Sequence, residues 1–106
     1  MSALTEFGRF SEPALLILVS LAEGPKHGYA MQDDIAVLTG DRPGPGTLYG
    51  AIRRLEEQGF IQPLPEREGD RRKPYQLTDD GRAALQAELA RIRAVATTGL
   101  RRLALS

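Results

Sequence analysis

Residues 45–77 read PGTLYGAIRRLEEQGFIQPLPEREGDRRKPYQL, and the hydrophobic period of this stretch changes at Gly59. On the N-terminal side the apolar residues recur every three or four positions: Leu48, Ile52 and Leu55. On the C-terminal side apolar and polar residues alternate around a turn rich in Glu, Gly and Asp. The pattern predicts a helix over about 47–58 that stops at Gly59, and a two-stranded hairpin over roughly 61–67 and 72–77.

Three prolines mark the hairpin as a small, open sheet. Pro63, Pro65 and Pro74 have no backbone N–H, so each removes one donor from a β-ladder. This predicts strands with free edges and argues against a central position in a sheet. A sheet this small must pack against helices.

Two further helices are predicted before residue 45. Ser11 is a candidate N-cap for a helix over about 12–22, with Glu12 and Pro13 in the first turn. That helix is apolar almost all round, so it must be buried on two faces.

The second helix is predicted over about 29–39, with Gln32 pointing away from the core. Its buried stripe is expected to contain Met31, Ile35 and Leu38. Residues 40–46 alternate Gly and Pro and form a stiff turn before the third helix.

The last predicted element is a helix of about 28 residues, on the order of 40 Å long. It begins after the candidate N-cap Thr78 and ends near Leu105, with Gly99 as a weak point. Its apolar repeat is longer than the preceding domain can cover, which favours a second copy of the chain as partner. The predicted dimer interface consists of Leu15, Val19, Leu85, Leu89, Ile92, Ala96, Leu100 and Leu103.

The order of these elements is that of a winged helix-turn-helix. The predicted fold class is mainly α with a small β-hairpin, followed by a long C-terminal dimerisation helix. We divide the chain into a DNA-binding domain over 1–77 and a dimerisation helix over 78–106. In this architecture the third helix enters the major groove of double-stranded DNA and the hairpin contacts the flanking backbone.

Polar and basic side chains stand where such a protein would contact DNA. The third helix offers Thr47, Tyr49 and Arg53, and the hairpin tip carries Arg71, Arg72 and Lys73. The alternative interpretation is that these charges only solvate an exposed face. Their place in the three-helix and hairpin order favours phosphate and base contacts instead.

Composition excludes several other classes of protein. The 106 residues carry 14 basic and 14 acidic side chains and contain no Cys, so neither a polybasic tail nor a disulfide framework is expected. With His27 as the one histidine, we expect no metal site and no cofactor. The longest apolar run covers 14–19, far short of the roughly 20 residues that span a bilayer. With no signal peptide pattern, the cytoplasm is the expected compartment.

The sequence does not contain a complete set of catalytic residues. Gly44, Gly46 and Gly50 are one residue too widely spaced for a dinucleotide fingerprint, and no strand precedes them. The neighbouring pair Asp33 and Asp34 points in directions about 100° apart on a helix, so these carboxylates cannot share a proton. The sequence therefore does not indicate an enzyme.

Four segments in order resemble the PadR family of bacterial transcriptional regulators. They are ALLILVSLAEGPKHGY at 14–29, PGTLY at 45–49, RLEEQGFI at 54–61 and YQLTDDG at 75–81. The resemblance implies a winged-helix repressor that dimerises through the last helix and binds an inverted-repeat operator, from which a small molecule or other signal releases it. It also implies that the turn before the second helix faces DNA, with Lys26, His27, Gly28 and Tyr29.

Two departures from the family pattern bear on effector binding. The single C-terminal helix resembles the short branch of the family, and the chain lacks the Trp with which some relatives hold flat aromatic drugs. The missing Trp argues against sandwiching of a flat aromatic drug. The candidate pocket for a small apolar or aromatic effector consists of Phe7, Phe10, Leu15, Val19, Ile92 and Ala96, with plain dimer core as the alternative. A protein-interaction or ligand-sequestering module without specific DNA binding remains the alternative function.

Overall fold

The computed structural model describes residues 10–65, 69 and 72–106. This part of the chain contains four helices and three short strands. In chain order they are α1 (Glu12–Leu21), β1 (Lys26–His27), α2 (Gly28–Thr39), α3 (Pro45–Glu57), β2 (Ile61–Pro63), β3 (Pro74–Leu77) and α4 (Asp79–Leu105). The predicted fold class, mainly helical with a small antiparallel sheet and a long C-terminal helix, is confirmed.

Hydroxyl side chains cap two of the helices as the sequence predicts. Ser11 Oγ accepts a hydrogen bond of 3.4 Å from the backbone N–H of Ala14 at the start of α1. Thr78 Oγ1 accepts one of 3.0 Å from Gly81 at the start of α4. Each hydroxyl satisfies a backbone donor that has no partner within its helix.

The sheet has three strands in the order β1-β3-β2, where we predicted two. Lys26 pairs with Tyr75 and His27 with Pro74, so the turn before α2 adds an antiparallel strand to the hairpin. This places β3 at the centre of the sheet and contradicts the expectation that Pro74 lies in a strand with a free edge. Pro74 is tolerated because it is the first residue of the strand.

The core lies where α1 crosses α3 and the sheet. Ile17, Leu18 and Leu55 have no more than 1% of their surface exposed. Phe10 packs edge-on against Phe60, with ring centroids 5.5 Å apart and an interplanar angle of 85°. The all-round apolar sequence of α1 is thus explained by its central position.

The buried face of α2 differs from the predicted one at two positions. Leu38 is 53% exposed, whereas Gln32 is 7% exposed. Gln32 is buried because its Nε2 donates a hydrogen bond of 2.8 Å to the carbonyl of Pro43 in the turn before α3. A polar side chain with such a partner can be buried at little cost.

The start of α4 is tied to the end of α3 through the backbone at Gly59 and Phe60. Thr78 donates twice, from its N–H to the carbonyl of Phe60 over 3.1 Å and from its hydroxyl to the carbonyl of Gly59 over 2.6 Å. Gly81 lies so close to Phe60 that a Cβ there would overlap its carbonyl group. Beyond this joint α4 continues through Gly99 to Leu105.

Candidate nucleic-acid interface

An open concavity lies between the N-terminus of α2, the exposed side of α3 and the strand β3. Its volume is about 350 Å³. The lining residues are His27, Gly28, Tyr29, Tyr49, Arg72, Lys73 and Tyr75. All of them except Tyr75 are among the predicted DNA-binding residues, so the fold brings three separate sequence segments together at this place.

Close packing between Gly28 and Tyr49 shapes the floor of the concavity. A Cβ on Gly28 would lie 2.5 Å from the hydroxyl oxygen of Tyr49 and 2.8 Å from the ring carbon that bears it. Gly28 therefore allows the tyrosine of α3 to lie across the first turn of α2. Tyr49 is 47% exposed, so about half of this residue remains available to a ligand.

A basic side chain stands over a tyrosine ring on each of two sides of this surface. Lys73 Nζ lies 5.6 Å from the ring centroid of Tyr75. Arg42 Cζ lies 4.9 Å from the ring centroid of Tyr29, and Arg42 also forms an ion pair with Asp33. The hydrogen bond that Arg42 donates to the carboxylate of Asp33 raises the pKa of Arg42 above its usual value. Arg42 was not predicted, because no periodic pattern connects residues nine positions apart across a turn.

Lys26 lies outside this surface, and the structure corrects its predicted role. Its Nζ contacts the carbonyl of Ser20 at 2.5 Å, the hydroxyl of Ser20 at 3.2 Å, Asp34 at 3.1 Å and Glu23 at 2.5 Å. The side chain is only 15% exposed. The ammonium group therefore links the end of α1 to α2, and we leave Lys26 out of the proposed DNA contacts.

The same cluster affects the carboxyl group of Asp34. A hydrogen bond from Ser20, and after it one from Lys26, lower the pKa of Asp34 below its ordinary value. The charged form of this carboxyl is thus favoured in the folded protein.

The remaining predicted DNA-binding residues belong to α3 and the hairpin tip. Thr47 and Arg53 are exposed on α3, on the side away from its buried residues. They do not line the concavity itself. Arg71 lies outside the described residues.

The predicted dimer interface divides into buried and exposed positions. Leu85 is 4% exposed and belongs to the core of its own chain, so it is corrected from an interface residue to a core residue. Leu15, Val19 and Ile92 are half-buried. The exposed members are Leu89, Ala96, Leu100 and Leu103.

The described members of the predicted effector pocket lie in different surroundings. Phe10 fills the core, where it contacts Phe60, and is corrected from a pocket residue to a core residue. Phe7 lies outside the described residues. A separate cavity of about 240 Å³ lies between α1, α2 and the turn before α3. Its lining residues are Glu12, Pro13, Leu16, Ile35, Thr39, Asp41, Arg42, Pro43 and Leu48.

Comparison with known protein families decides the identity of this fold. Residues 17–87, more than half of the chain, match the model of the transcriptional regulator PadR-like family. The chain belongs to this family. PadR proteins are transcription regulators that bind DNA and are not enzymes. Within the part of the chain that the structure describes, no helix is long and apolar enough to cross a membrane.

Solved structures of PadR regulators share the fold. A PadR family transcription regulator from hypervirulent Clostridium difficile R20291 is 26% identical with a TM-score of 0.75, covering 86% of this chain and 97% of that one. A PadR family transcriptional regulator from Eggerthella lenta DSM 2243 is 31% identical with a TM-score of 0.71, covering 85% of this chain and 80% of that one.

A curated relative from Streptomyces fradiae is longer than this chain. It is an uncharacterized 37.1 kDa protein in transposon TN4556, 44% identical over 80 residues. The match covers 76% of this PadR chain and 23% of the relative.

Proposed function

We propose that this PadR protein represses transcription as a homodimer that binds an inverted-repeat operator in double-stranded DNA. The observation that carries the proposal is the concavity in which Tyr29, Tyr49 and Lys73 meet. It combines hydrogen-bond donors, aromatic rings and positive charge beside the exposed side of α3. These are the groups that proteins use to hold a phosphate backbone while a helix reads the major groove.

The position of each side chain suggests whether it contacts bases or the phosphate backbone. Thr47 and Arg53 lie on the exposed side of α3, and we assign base and nearby phosphate contacts to them. Arg72 and Lys73 lie on the strand side of the concavity, where a wing meets the flanking backbone. The Arg71 side chain is assigned to the same basic wing.

Dimerisation is proposed through the exposed apolar side of α4. Leu100 is 69% exposed and Leu103 is 72% exposed in the single chain. Two copies related by a twofold axis would cover these residues in an isologous interface. The same axis would present two copies of α3 to DNA in opposite orientations, which is why an inverted repeat is the expected operator.

Release from DNA is assigned to a small apolar or aromatic effector or to another signal. The proposed effector-binding site lies on the faces of α1 and α4 that the dimer would cover. It contains Leu15, Val19, Ile92 and Ala96. The proposed place of action is the cytoplasm, where the operator DNA is found.

Footprinting and mobility shifts on the DNA upstream of the gene test the proposal. We expect a symmetric footprint, and less transcript from that promoter when the protein is added in vitro. Changing Arg72 and Lys73 together to Ala should weaken binding at least tenfold and flatten the salt dependence, with the slope falling by about 2 if each contacts one phosphate.

A matched control changes Arg101 and Arg102 to Ala on α4, away from the concavity, and should leave the affinity near that of the wild type. Equal losses in both pairs would mean that only net charge matters and would refute the wing assignment. Failure of the unaltered protein to bind duplex DNA at low salt would favour the protein-interaction alternative.

A further inference from the structure

The turn between α2 and α3 is held in place by side chains of α2. Gln32 donates to the carbonyl of Pro43. Thr39 Oγ1 donates to the carbonyl of Ile35 at 2.8 Å and accepts from the backbone N–H of Asp41 at 3.1 Å. These bonds lie on both sides of Arg42 in sequence, so they fix the backbone from which its side chain extends.

The side chain of Arg42 lies along the exposed face of α2. Its guanidinium stands over the ring of Tyr29 and is ion-paired with Asp33 one turn further along the helix. The side chains of Arg42 and Asp33 are 41% and 56% exposed. An ion pair this exposed contributes little to folding, so the cluster is not required to keep the turn in shape.

Tyr29 connects this cluster to the proposed DNA surface. The tyrosine lines the concavity and also stands beneath Arg42, so the guanidinium is adjacent to one of the residues that line the concavity. The strand side of the concavity has a similar arrangement, with Lys73 over Tyr75. Two cations, each placed on an aromatic ring, thus flank the groups that would face DNA.

The guanidinium of Arg42 has enough N–H donors to bind a second acceptor. It carries five N–H groups in a planar fork, and the carboxylate of Asp33 occupies only part of them. The Tyr29 ring beneath the guanidinium limits its motion, and the Tyr29 hydroxyl is a second hydrogen-bond partner, which still leaves part of the five donors for another acceptor. The exposed donors match the oxygen atoms of a phosphodiester.

We infer that Arg42, resting on Tyr29 and oriented by Asp33, is a second phosphate-binding site for the DNA backbone, separate from the basic wing. This inference rests on the proposed DNA-binding function. Asp33 plays two parts in it, because the carboxylate aims the guanidinium and also repels the phosphate that approaches.

The two charged residues therefore have opposite expected effects on DNA binding. Changing Arg42 to Ala removes one phosphate contact and should weaken binding about tenfold. Changing Asp33 to Asn removes a negative charge beside the phosphate, so binding should stay equal or become up to about threefold tighter. If the ion pair only held the turn in shape, both changes would weaken binding alike.

Fluorescence anisotropy over a series of salt concentrations tests the inference. The probes are the footprinted duplex from upstream of the gene and a scrambled duplex of equal length. For R42A we expect weaker binding to both duplexes and a salt slope smaller by about 1, with an unchanged melting temperature. R42K should keep the slope, because the charge remains, and D33N should bind both duplexes at least as well as the wild type.

Controls separate this inference from the proposed function. R101A removes one positive charge far from the concavity and should bind like the wild type. If the wing variants lose affinity while R42A does not, the inference is wrong and the proposed function stands. If R42A and D33N lose affinity equally, the turn-holding explanation replaces the inference. If the wild type binds neither duplex at low salt, the proposed function fails and the inference fails with it.

Discussion

The two halves of α4 carry one continuous apolar repeat in different surroundings. In residues 79–88 the positions Gly81, Ala84, Leu85 and Glu88 are buried. In residues 89–105 every side chain is exposed or half-buried, and Leu103 is 72% exposed. The first half is held by α1 and the backbone of Phe60, whereas the second half extends beyond the rest of the domain.

This difference shows what an apolar repeat does and does not specify. A spacing of three or four residues fixes which side of a helix is apolar. It does not say whether that side packs within the chain or against another molecule. Leu85 and Leu103 lie on the same side of α4, five helical turns apart, yet Leu85 is 4% exposed and Leu103 is 72% exposed.

Within residues 79–88 of α4, a substitution at Gly81 should reduce stability the most. In Gly81→Ala the new Cβ would lie 2.8 Å from the carbonyl carbon of Phe60 and closer still to the oxygen. Backbone atoms cannot move aside as a flexible side chain can, so we expect a loss of about 3 kcal/mol or more in the free energy of unfolding. Urea denaturation measures it.

Gly99→Ala is the matched change in the second half. Within the described chain nothing lies within 4 Å of a Cβ at this position. The higher helix propensity of Ala should stabilise the protein by up to about 1 kcal/mol. If Gly81→Ala is as stable to urea as Gly99→Ala, α4 does not pack closely on the backbone of Phe60. A loss at Gly99 instead would mean that a partner copy packs closely there.

The second half should be most sensitive to charge on its apolar side. Changing Ile92 and Leu100 together to Glu places like charges on the proposed dimer interface, and by symmetry each change occurs twice. We expect association to weaken about a hundredfold, which is about 2.7 kcal/mol. Analytical ultracentrifugation over a range of concentrations measures the shift from dimer to monomer.

Leu105→Glu provides the control for that experiment. Leu105 is 81% exposed and lies on the opposite side of the helix from Ile92 and Leu100. This variant should associate like the wild type. Dissociation in both variants, or in neither, would contradict the proposed interface.

A third prediction contrasts Gly28 with Gly81. A Cβ on Gly28 meets the hydroxyl end of Tyr49, a side chain that is 47% exposed and can swing into solvent. Gly28→Ala should therefore cost less than about 1 kcal/mol in stability while moving a proposed DNA contact. We expect operator affinity to fall about tenfold, or about 1.4 kcal/mol. Anisotropy titration and thermal melting on the same sample give both values.

Tyr49→Phe separates two causes of that loss. It removes only the hydroxyl and leaves the ring in place. A similar loss of affinity would assign the effect to a hydrogen bond from the hydroxyl. Full affinity in Gly28→Ala would show that the position of Tyr49 over Gly28 does not matter for binding.

The smallest expected effect is a dependence of stability on pH at Asp34. Its pKa lies below the ordinary value of 3.8 in the folded protein because Ser20, and then Lys26, bond to the charged form. The stabilisation is therefore complete above about pH 5 and declines as the pH falls through the lowered pKa. The stability difference between the wild type and Asp34→Asn should shrink in acid, as measured by urea denaturation at several pH values. Ser20→Ala should reduce this pH dependence, and an unchanged profile would contradict the proposed bonding.

The sequence was sufficient for the helices, their caps and most of the concavity. Local signals decide these features: Ser11 and Thr78 cap helices by bonding to residues three positions away, and the spacing of Leu48, Ile52 and Leu55 defines the buried side of α3. The order of the elements pointed to Tyr49 and Lys73, and the resemblance to the PadR family added Tyr29; the structure has all three lining one concavity.

What the sequence did not supply are contacts between distant residues with no local pattern. The strand β1 has two residues, too few to show alternation. Lys26 carries the same charge whether it turns outward or inward, and only the fold places it beside Ser20 and Asp34. The polarity of Gln32 predicts a solvent-facing side chain and does not reveal its hydrogen bond to the carbonyl of Pro43.

The hydrogen bonds of Thr78 to Gly59 and Phe60 connect α4, the proposed dimerisation helix, to α3, the proposed DNA-reading helix. The two helices should therefore move together. Because Thr78 at the start of α4 is bonded to Gly59 and Phe60, just after the C-terminal end of α3, α4 acts as a stiff arm that is fixed to the domain carrying α3. An arm about 40 Å long that tilts by about 5° moves its far end by roughly 3–4 Å. A slight change in how two such arms cross would therefore reset the distance between the two copies of α3, with no rearrangement inside either domain.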